Sequence, residues 1–282
     1  ASLAAVSIER AELNRQIQEI FEGLLSSSAA AIDERDQVTS GHSKRVAGYA
    51  IAFVDALNAT NDGVFGSITF SDERKRQFKF AALLHDIGKI GVPEAILTKE
   101  CRLTKGELAT IRSRVDYIKL RMATGESVPS WPDHQAIDDD FAFVERINTS
   151  GSLSEDDGVR LESIRGKTWS DSAGCMRPFL SDEEWDHLSV RRGNLTARER
   201  EIINSHAQAT RRILSKIPWT PDLEQIPTIA CHHHERLDGS GYPDGLKGES
   251  LGLESRILAV VDIYEALVAQ DRPYKPRMPS DK

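Results

Sequence analysis

Residues 82–93 read ALLHDIGKIGVP, an apolar run that leads into a His-Asp pair and then a lysine. On an otherwise apolar helix, a carboxylate beside an imidazole must be paired or bound to a metal, because an unpaired buried charge is costly. Asp86 and a neutral His85 are both good ligands for divalent metals. The stretch alone fits a metal site and a helix end with a hydrogen-bonded histidine equally well. The remainder of the chain has to decide between these two interpretations.

The composition is that of an ordinary folded protein: 282 residues, 39% of them hydrophobic and 28% charged. No run of about 18 apolar residues is present, which predicts no membrane span, and no signal peptide is visible. Three cysteines without paired spacing favour reduced thiols in a cytoplasmic protein. The first residue is alanine rather than methionine, so we expect a fragment with an upstream part.

The formal net charge of −8 argues against general nucleic-acid binding. The acidity is concentrated, since residues 131–190 hold 14 acidic and 5 basic side chains. The remaining residues are therefore close to neutral and can accept an anionic ligand.

Apolar periodicity predicts an all-α fold, because no alternating strand pattern is convincing. Helices are predicted over 6–31, about 40–57, 72–87, 103–122, 196–217, 226–235 and 253–269. Thr39 or Ser40 is the predicted N-cap of the second helix, and Thr196 with Glu199 forms a capping box. Residues 125–190 are predicted to be an insertion with a largely irregular structure. The predicted domains are a linker helix, 1–35, and a helical bundle, 36–282, that contains this insertion.

The first predicted helix carries two heptad series, Val6, Leu13 and Ile20, and Ile17, Leu24 and Ala31. Two interpretations stay open. The helix either packs on its own domain, or it pairs in parallel with a second copy and joins the domain to an upstream sensory domain.

A cluster of potential metal ligands is spread over five predicted helices. Its members lie in apolar surroundings and are His42, His85, Asp86, His206, His233, His234 and Asp262. Their number suits two divalent ions, and mixed imidazole and carboxylate ligands suit Fe, Mn, Zn or Ni better than Ca. Two ions roughly 3.5–4 Å apart, with a bridging hydroxide as nucleophile, are typical of in-line displacement at phosphorus.

Three motifs resemble the HD-GYP family, a branch of the HD metal-dependent phosphohydrolases. They are HDIGK (85–89), HHERLDGSGYP (233–243) and DIYEAL (262–267), and the similarity covers roughly 36–124 and 191–276. The resemblance implies an HD-type helical bundle and a cytoplasmic cyclic di-GMP phosphodiesterase of bacterial signalling. Its product would be linear pGpG and, after a second step, GMP.

The same resemblance implies roles for individual residues. The seven residues of the cluster correspond to the family's metal ligands, with Asp86 as the bridge. Lys89 would contact the scissile phosphate and help to protonate the leaving oxygen, and Arg272 and Lys275 would contact phosphate. Glu265, where many members have Asp, is interpreted as a hydrogen-bond acceptor for a guanine edge.

A further departure concerns the number of metals. Some members bind a third ion through a Glu four residues before the first ligand, and Val38 occupies that place here. We therefore expect two ions, with Fe or Mn ahead of Ni, Zn and Mg. The Gly-Tyr-Pro loop is linked in the family to partners such as diguanylate cyclases.

Three alternatives to a cyclic di-GMP phosphodiesterase have to be compared with the sequence. A silent cyclic-dinucleotide sensor is disfavoured by the complete ligand set and Lys89. Hydrolysis of nucleotide mono- or triphosphates is disfavoured by the DGxGYP loop. Cyclic GMP-AMP as the substrate stays open.

Overall fold

The computed structural model describes residues 3–35 and 41–269. Within these ranges the chain forms eleven α-helices and one two-stranded antiparallel sheet, which confirms the all-α prediction. It divides into two compact units, one from residues 1–98 and 202–282 and the other from 99–201. Thr39, Ser40, Val38, Arg272 and Lys275 lie outside the described residues.

The helices alternate with short turns and 3₁₀ segments. In chain order they are α1 (Leu3–Arg35), α2 (His42–Asn58), α3 (Asp72–Leu84), α4 (Glu94–Leu97), α5 (Lys105–Ala123), α6 (His134–Thr149), α7 (Glu155–Arg165), α8 (Asp182–Leu188), α9 (Ala197–Leu214), α10 (Ile226–Cys231) and α11 (Leu253–Val268). The strands β1 (Thr168–Ser170) and β2 (Met176–Pro178) lie between α7 and α8. The predicted capping box is present, since Thr196 Oγ1 accepts from the Glu199 amide and the Glu199 carboxylate accepts from the Thr196 amide.

The first unit is built around one apolar core to which α1, α2, α3, α9, α10 and α11 contribute. Val54 on α2, Phe78 on α3 and Leu258 on α11 are fully buried in it. Ser71 begins α3 by accepting a hydrogen bond from the Arg74 amide. The core therefore fixes the end of α3 beside α2 and α11, and this is where the His-Asp pair follows.

Two predicted helices end earlier than expected. α3 ends at Leu84, so His85 and Asp86 lie in a turn before a 3₁₀ helix, Ile87–Gly91. The His85 carbonyl accepts from Thr210 Oγ1 on α9 (2.9 Å), and the same hydroxyl accepts from the Gly88 amide (3.0 Å). A Cβ on Gly88 would lie 2.0 Å from the His206 carbonyl oxygen, so only glycine permits this approach. α10 likewise ends at Cys231 and leaves the paired histidines in the turn that follows.

The prediction of a largely irregular 125–190 segment is wrong. α6, α7, α8 and the β1–β2 hairpin occupy it, and the second unit has its own core around Trp131 and Phe141. Ile137, Phe141 and Val144 have helical spacing, but the dense acidic residues between the apolar ones hide it. Side-chain caps at Asp133 and Ser154 start α6 and α7, as their residue types allow.

Helix α1 packs on its own domain over part of its length, and its pairing with a second copy stays a prediction. Its C-terminal half packs on the first unit, with Leu25 and Ile32 buried in the core. Its N-terminal half leaves the predicted heptad positions exposed, with Leu13 and Ile17 at 55% and Ile20 at 64%. The packed half belongs to the helical bundle, and the exposed half is open to a partner. The assignment of 1–35 as a separate linker stays a prediction.

Candidate metal centre

The first unit brings together all seven predicted ligands, although they are far apart in sequence. His42 begins α2, His206 lies within α9, and Asp262 lies within α11. The other four lie in the turns after α3 and α10. Candidate ligand atoms fall within 4.8 Å of one another in three overlapping groups, namely His42, His85 and Asp86; His206, His233 and His234; and His85, His233 and Asp262.

Asp86 lies between two of these groups and turns one oxygen to each. Its Oδ2 is 3.4 Å from His85 Nε2 and 3.8 Å from His42 Nε2. Its Oδ1 is 3.3 Å from His206 Nε2 and 3.9 Å from His233 Nε2. A carboxylate placed in this way can bind one metal ion through each oxygen.

Asp262 completes the side of the cluster around His42. Its Oδ1 lies 3.2 Å from His42 Nε2 and 3.8 Å from His85 Nε2. Burial alone would raise the pKa of Asp262, but the hydrogen bond from His42 and the charge of His85 hold it below the usual value. Asp262 therefore stays ionised, as a metal ligand must.

Three of the histidines are oriented by their own backbone. Nδ1 of His85, His206 and His233 lies 2.7, 2.7 and 2.6 Å from the carbonyl oxygen three residues earlier. A carbonyl oxygen can only accept, so Nδ1 carries the proton and donates it. Each neutral ring then turns the lone pair of Nε2 into the cluster, which is the tautomer that metal binding requires.

The donor set fits divalent transition-metal ions. His85 Nε2 is buried and has no hydrogen-bond partner among the described residues, so a polar atom faces the centre of the cluster unsatisfied. Leaving such an atom unpaired in a native site is costly. A metal ion accepting its lone pair would remove that cost, and imidazole nitrogens with carboxylate oxygens suit Fe, Mn, Zn or Ni.

The charge states of most of the cluster suit metal binding, and His42 is the exception. Burial would lower the pKa of His42, but hydrogen bonds to Asp262 and Glu265 raise it to about 9, so this ring would have to lose a proton to bind a metal. Burial would raise the pKa of Asp86, but the charges of Lys89, His85 and His206 hold it well below the usual value. Burial and the neighbouring His234 push the pKa of His233 well below its usual value, and burial with the charge of His206 lowers that of His234 to about 4. Neutral imidazoles and an ionised carboxylate are the forms that bind metals.

Lys89 lies at the edge of this cluster, where the 3₁₀ helix carries it. Its Nζ is 2.8 Å from Asp86 Oδ2. The ammonium group is therefore held beside the carboxylate that faces both histidine groups. In that place a lysine can neutralise an anionic ligand and donate a proton to it.

Glu265 contacts other residues of the protein, and its interpretation as an acceptor for a guanine edge stays a prediction that these contacts do not support. The side chain is buried, with 1% of its surface exposed. Oε2 lies 2.6 Å from His42 Nδ1, and Oε1 accepts from Arg45 Nε at 2.7 Å. Both oxygens are thus engaged inside the protein, and Glu265 orients His42 in place of a backbone carbonyl. The sequence spacing could have indicated this position near the cluster, because Glu265 lies three residues after Asp262 and therefore on the same face of α11.

The Gly-Tyr-Pro loop is fastened to the turn that carries His233 and His234. The buried Glu235 carboxylate accepts from the amides of Asp244, Gly245 and Leu246 at 2.6 to 3.0 Å. The Tyr242 amide donates to the His234 carbonyl, and the two rings lie 4.8 Å apart. Glu235 belongs to the sequence motif, and these contacts give it a role. It holds the Gly-Tyr-Pro loop against the turn of His233 and His234.

Models of the HD domain match residues 39–121 and 183–282 of this chain. The matched ranges contain every residue of the cluster. None of the described helices is long and apolar enough to cross a membrane.

Curated relatives are similar over parts of the chain. The cyclic di-GMP phosphodiesterase response regulator RpfG of Xanthomonas campestris pv. campestris is 36% identical over 135 residues, which cover 48% of this chain and 34% of that protein. The 3'3'-cGAMP-specific phosphodiesterase 3 of Vibrio cholerae is 25% identical over 262 residues, covering 93% of this chain and 34% of the relative. A cyclic di-GMP phosphodiesterase of Thermotoga maritima is 41% identical over 97 residues, covering 34% and 26%. The chain thus spans about a third of the length of the first two relatives and about a quarter of the third.

Proposed function

We propose that this chain, which belongs to the HD domain family and carries an HD-GYP-type site, is a metal-dependent phosphodiesterase of cyclic dinucleotides. The observation that carries the proposal is the position of Asp86 between two histidine groups, with Lys89 at 2.8 Å. A bridging carboxylate beside a cation is an arrangement suited to a phosphodiester, whose phosphoryl oxygens gain negative charge as the bond breaks.

Two divalent transition-metal ions, Fe or Mn ahead of Ni, Zn and Mg, would supply Lewis-acid activation of water and of the phosphoryl group. Asp86 would hold both of them, and the other six residues of the cluster would complete their coordination. The expected number of two ions rests on the sequence. Val38, which cannot act as a ligand, occupies the place of the Glu that binds a third ion in some family members.

The side chains of the protein would bind the phosphate, protonate the leaving oxygen and position the metal ligands. Lys89 would bind the scissile phosphate and give a proton to the leaving oxygen, which needs one to depart as a hydroxyl. Glu265 and Arg45 keep His42 in place. Arg272 and Lys275 would contact phosphate, as their resemblance to the family implies.

Cyclic di-GMP is the proposed substrate, and 3'3'-cyclic GMP-AMP is the alternative. The relative that matches 93% of this chain is named for the second compound, so both belong in the same experiment. We expect the protein, loaded anaerobically with Mn or Fe(II), to convert cyclic di-GMP to linear pGpG and then GMP, as chromatography of the products will show. A folded, metal-loaded sample that binds either compound and hydrolyses neither would instead be a sensor module.

The wider context of the activity is also proposed. We propose that an upstream sensory domain regulates the activity through the exposed N-terminal half of α1. A diguanylate cyclase is a candidate partner at the Gly-Tyr-Pro loop, where Leu237 is 57% exposed. A cyclic-dinucleotide substrate is consistent with a cytoplasmic location.

The exposed half of α1 is expected to form a homodimer. Leu13→Glu with Ile20→Glu places charges on the seam and should convert a concentration-dependent dimer into a monomer, because buried unpaired carboxylates are costly. Sedimentation velocity over a concentration series measures this. Val64→Glu with Leu120→Glu is the matched control, since both residues are at least about as exposed as the α1 pair and belong to other elements. A monomer at every concentration, or a dimer that survives both charges on α1, contradicts the expectation.

A further inference from the structure

The last turn of α1 is bonded to the backbone segment that carries Lys89. The guanidinium group of Arg35 donates to the carbonyl oxygens of Lys89 (3.3 Å), Ile90 (2.7 Å) and Val92 (3.1 Å). One side chain therefore spans the 3₁₀ helix Ile87–Gly91 from Lys89 to just beyond its end. Hydrogen bonds from a charged donor are roughly twice as strong as neutral ones.

The segment that Arg35 holds has little regular structure of its own. Its internal bonds are of the short-range type, from the Lys89 amide to Asp86 and from the Val92 amide to Lys89. A 3₁₀ helix has poorer hydrogen-bond geometry than an α-helix, so its position depends on outside contacts. Gly88 anchors the start of the segment against α9, and Arg35 anchors its end.

The same turn of α1 also reaches the start of α2. The buried carboxylate of Asp33 accepts from the Ser43 amide (3.2 Å) and from Ser43 Oγ (2.7 Å). Ser43 directly follows His42. Two residues of one helical turn thus contact the backbones beside a predicted ligand and at a predicted proton donor.

We propose that Arg35 is a positioning residue for Lys89, and that α1 acts on the turnover rate through it. The inference rests on the proposed function, because it assigns Lys89 a part in the reaction. α1 has 33 residues and, at 1.5 Å each, is about 50 Å long. A rotation or shift imposed on its exposed half reaches Arg35 through continuous helix. Lys89 is the group that it moves through Arg35, whereas His85, His206 and His233 are oriented by carbonyl oxygens of their own segments.

The test compares Arg35→Ala with Arg15→Ala, a second arginine of α1 whose side chain donates to Glu12 and Glu19 on the same helix. Arg35→Ala should lower kcat at least about tenfold, since misplacement of a reacting group by about 1 Å can cost up to about 10²-fold. The metal content should stay unchanged, and the KM should rise no more than in Lys89→Ala, because Lys89 also contacts the phosphate. Arg15→Ala should match the parent in all three. Arg35→Lys, which keeps the charge and loses the planar fork, should give a smaller loss in the same direction.

Two further readouts separate positioning from general loss of structure. Arg35→Ala combined with Lys89→Ala should be no slower than Lys89→Ala alone, because the first residue acts through the second. Hydrogen exchange of the amides of residues 87–92 should accelerate in Arg35→Ala, with and without metal, while the amides of α3 keep their protection.

The proposal is overturned by an unchanged kcat in Arg35→Ala, by metal loss that accounts for the slower rate, or by a double variant that is clearly slower than Lys89→Ala. If the parent hydrolyses no cyclic dinucleotide, the proposed function fails and the assignment to turnover fails with it. The exchange measurement then reports separately whether Arg35 holds the segment.

Discussion

Asp86→Ala is expected to abolish metal binding and hydrolysis together. The parent should hold two transition-metal ions per chain after anaerobic reconstitution, as elemental analysis will measure. Asp86 turns Oδ1 and Oδ2 to different histidine groups, so its removal takes one ligand from each ion at once. Its loss would also remove a negative charge that would offset the positive charge of the expected ions.

Two comparisons make the Asp86 experiment specific. Asp86→Asn keeps the size of the side chain but loses its charge and one acceptor oxygen, so it should bind metal far less tightly than the parent. Asp62→Ala removes an exposed loop carboxylate and should change neither metal content nor rate. Three tightly held ions in the parent, or an Asp86→Ala protein that still holds two, would show that the bridge is wrongly assigned.

Lys89→Ala is expected to keep both metals and lose at least about 10²-fold in kcat, the usual size of a general-acid contribution. The ammonium group lies 2.8 Å from Asp86 Oδ2 but is not one of the cluster's donor atoms. Its removal therefore leaves the ligand set complete and takes away the proton donor. Steady-state kinetics with a parallel metal assay measure the two quantities on the same sample.

A charge-preserving variant divides the roles of Lys89. Lys89→Arg should retain most of the substrate affinity, because the guanidinium group still attracts phosphate, but it should stay slow, since arginine does not give up its proton. Lys79→Ala, on the exposed side of α3, is the matched control and should behave like the parent. Full activity in Lys89→Ala would assign the proton donor to another group.

The clustering of the seven side chains at the candidate metal centre could be predicted from the sequence, because a carboxylate or an imidazole in apolar surroundings needs a partner wherever the chain folds. The structure brings the seven together, and their role as metal ligands stays a prediction. The all-α class followed from periodicity in the same way. The heptad positions of α1, such as Leu13, are exposed, and the pairing that they predict stays a prediction.

The parts that could not be predicted depend on contacts across the fold. The end of α3 is set by Thr210 and by the close approach of α9 to Gly88, neither of which is visible near the His-Asp pair. The contacts of Glu265 with His42 and Arg45 could not be predicted, because these partners lie more than 200 positions earlier in the chain. In the second unit, frequent charges on the outer faces of α6 and α7 concealed a core that only packing reveals.

The second unit divides the metal centre along the chain, and this has a consequence for synthesis. His42, His85 and Asp86 leave the ribosome before that unit, and the remaining four donors follow it. At about 5–20 residues per second, roughly 10–35 s separate Asp86 from Asp262. During that interval the nascent chain presents half a binding site, while residues 99–201 can already collapse around their own core. We therefore expect the full donor set to assemble only after α11 has been synthesised and has packed on α2.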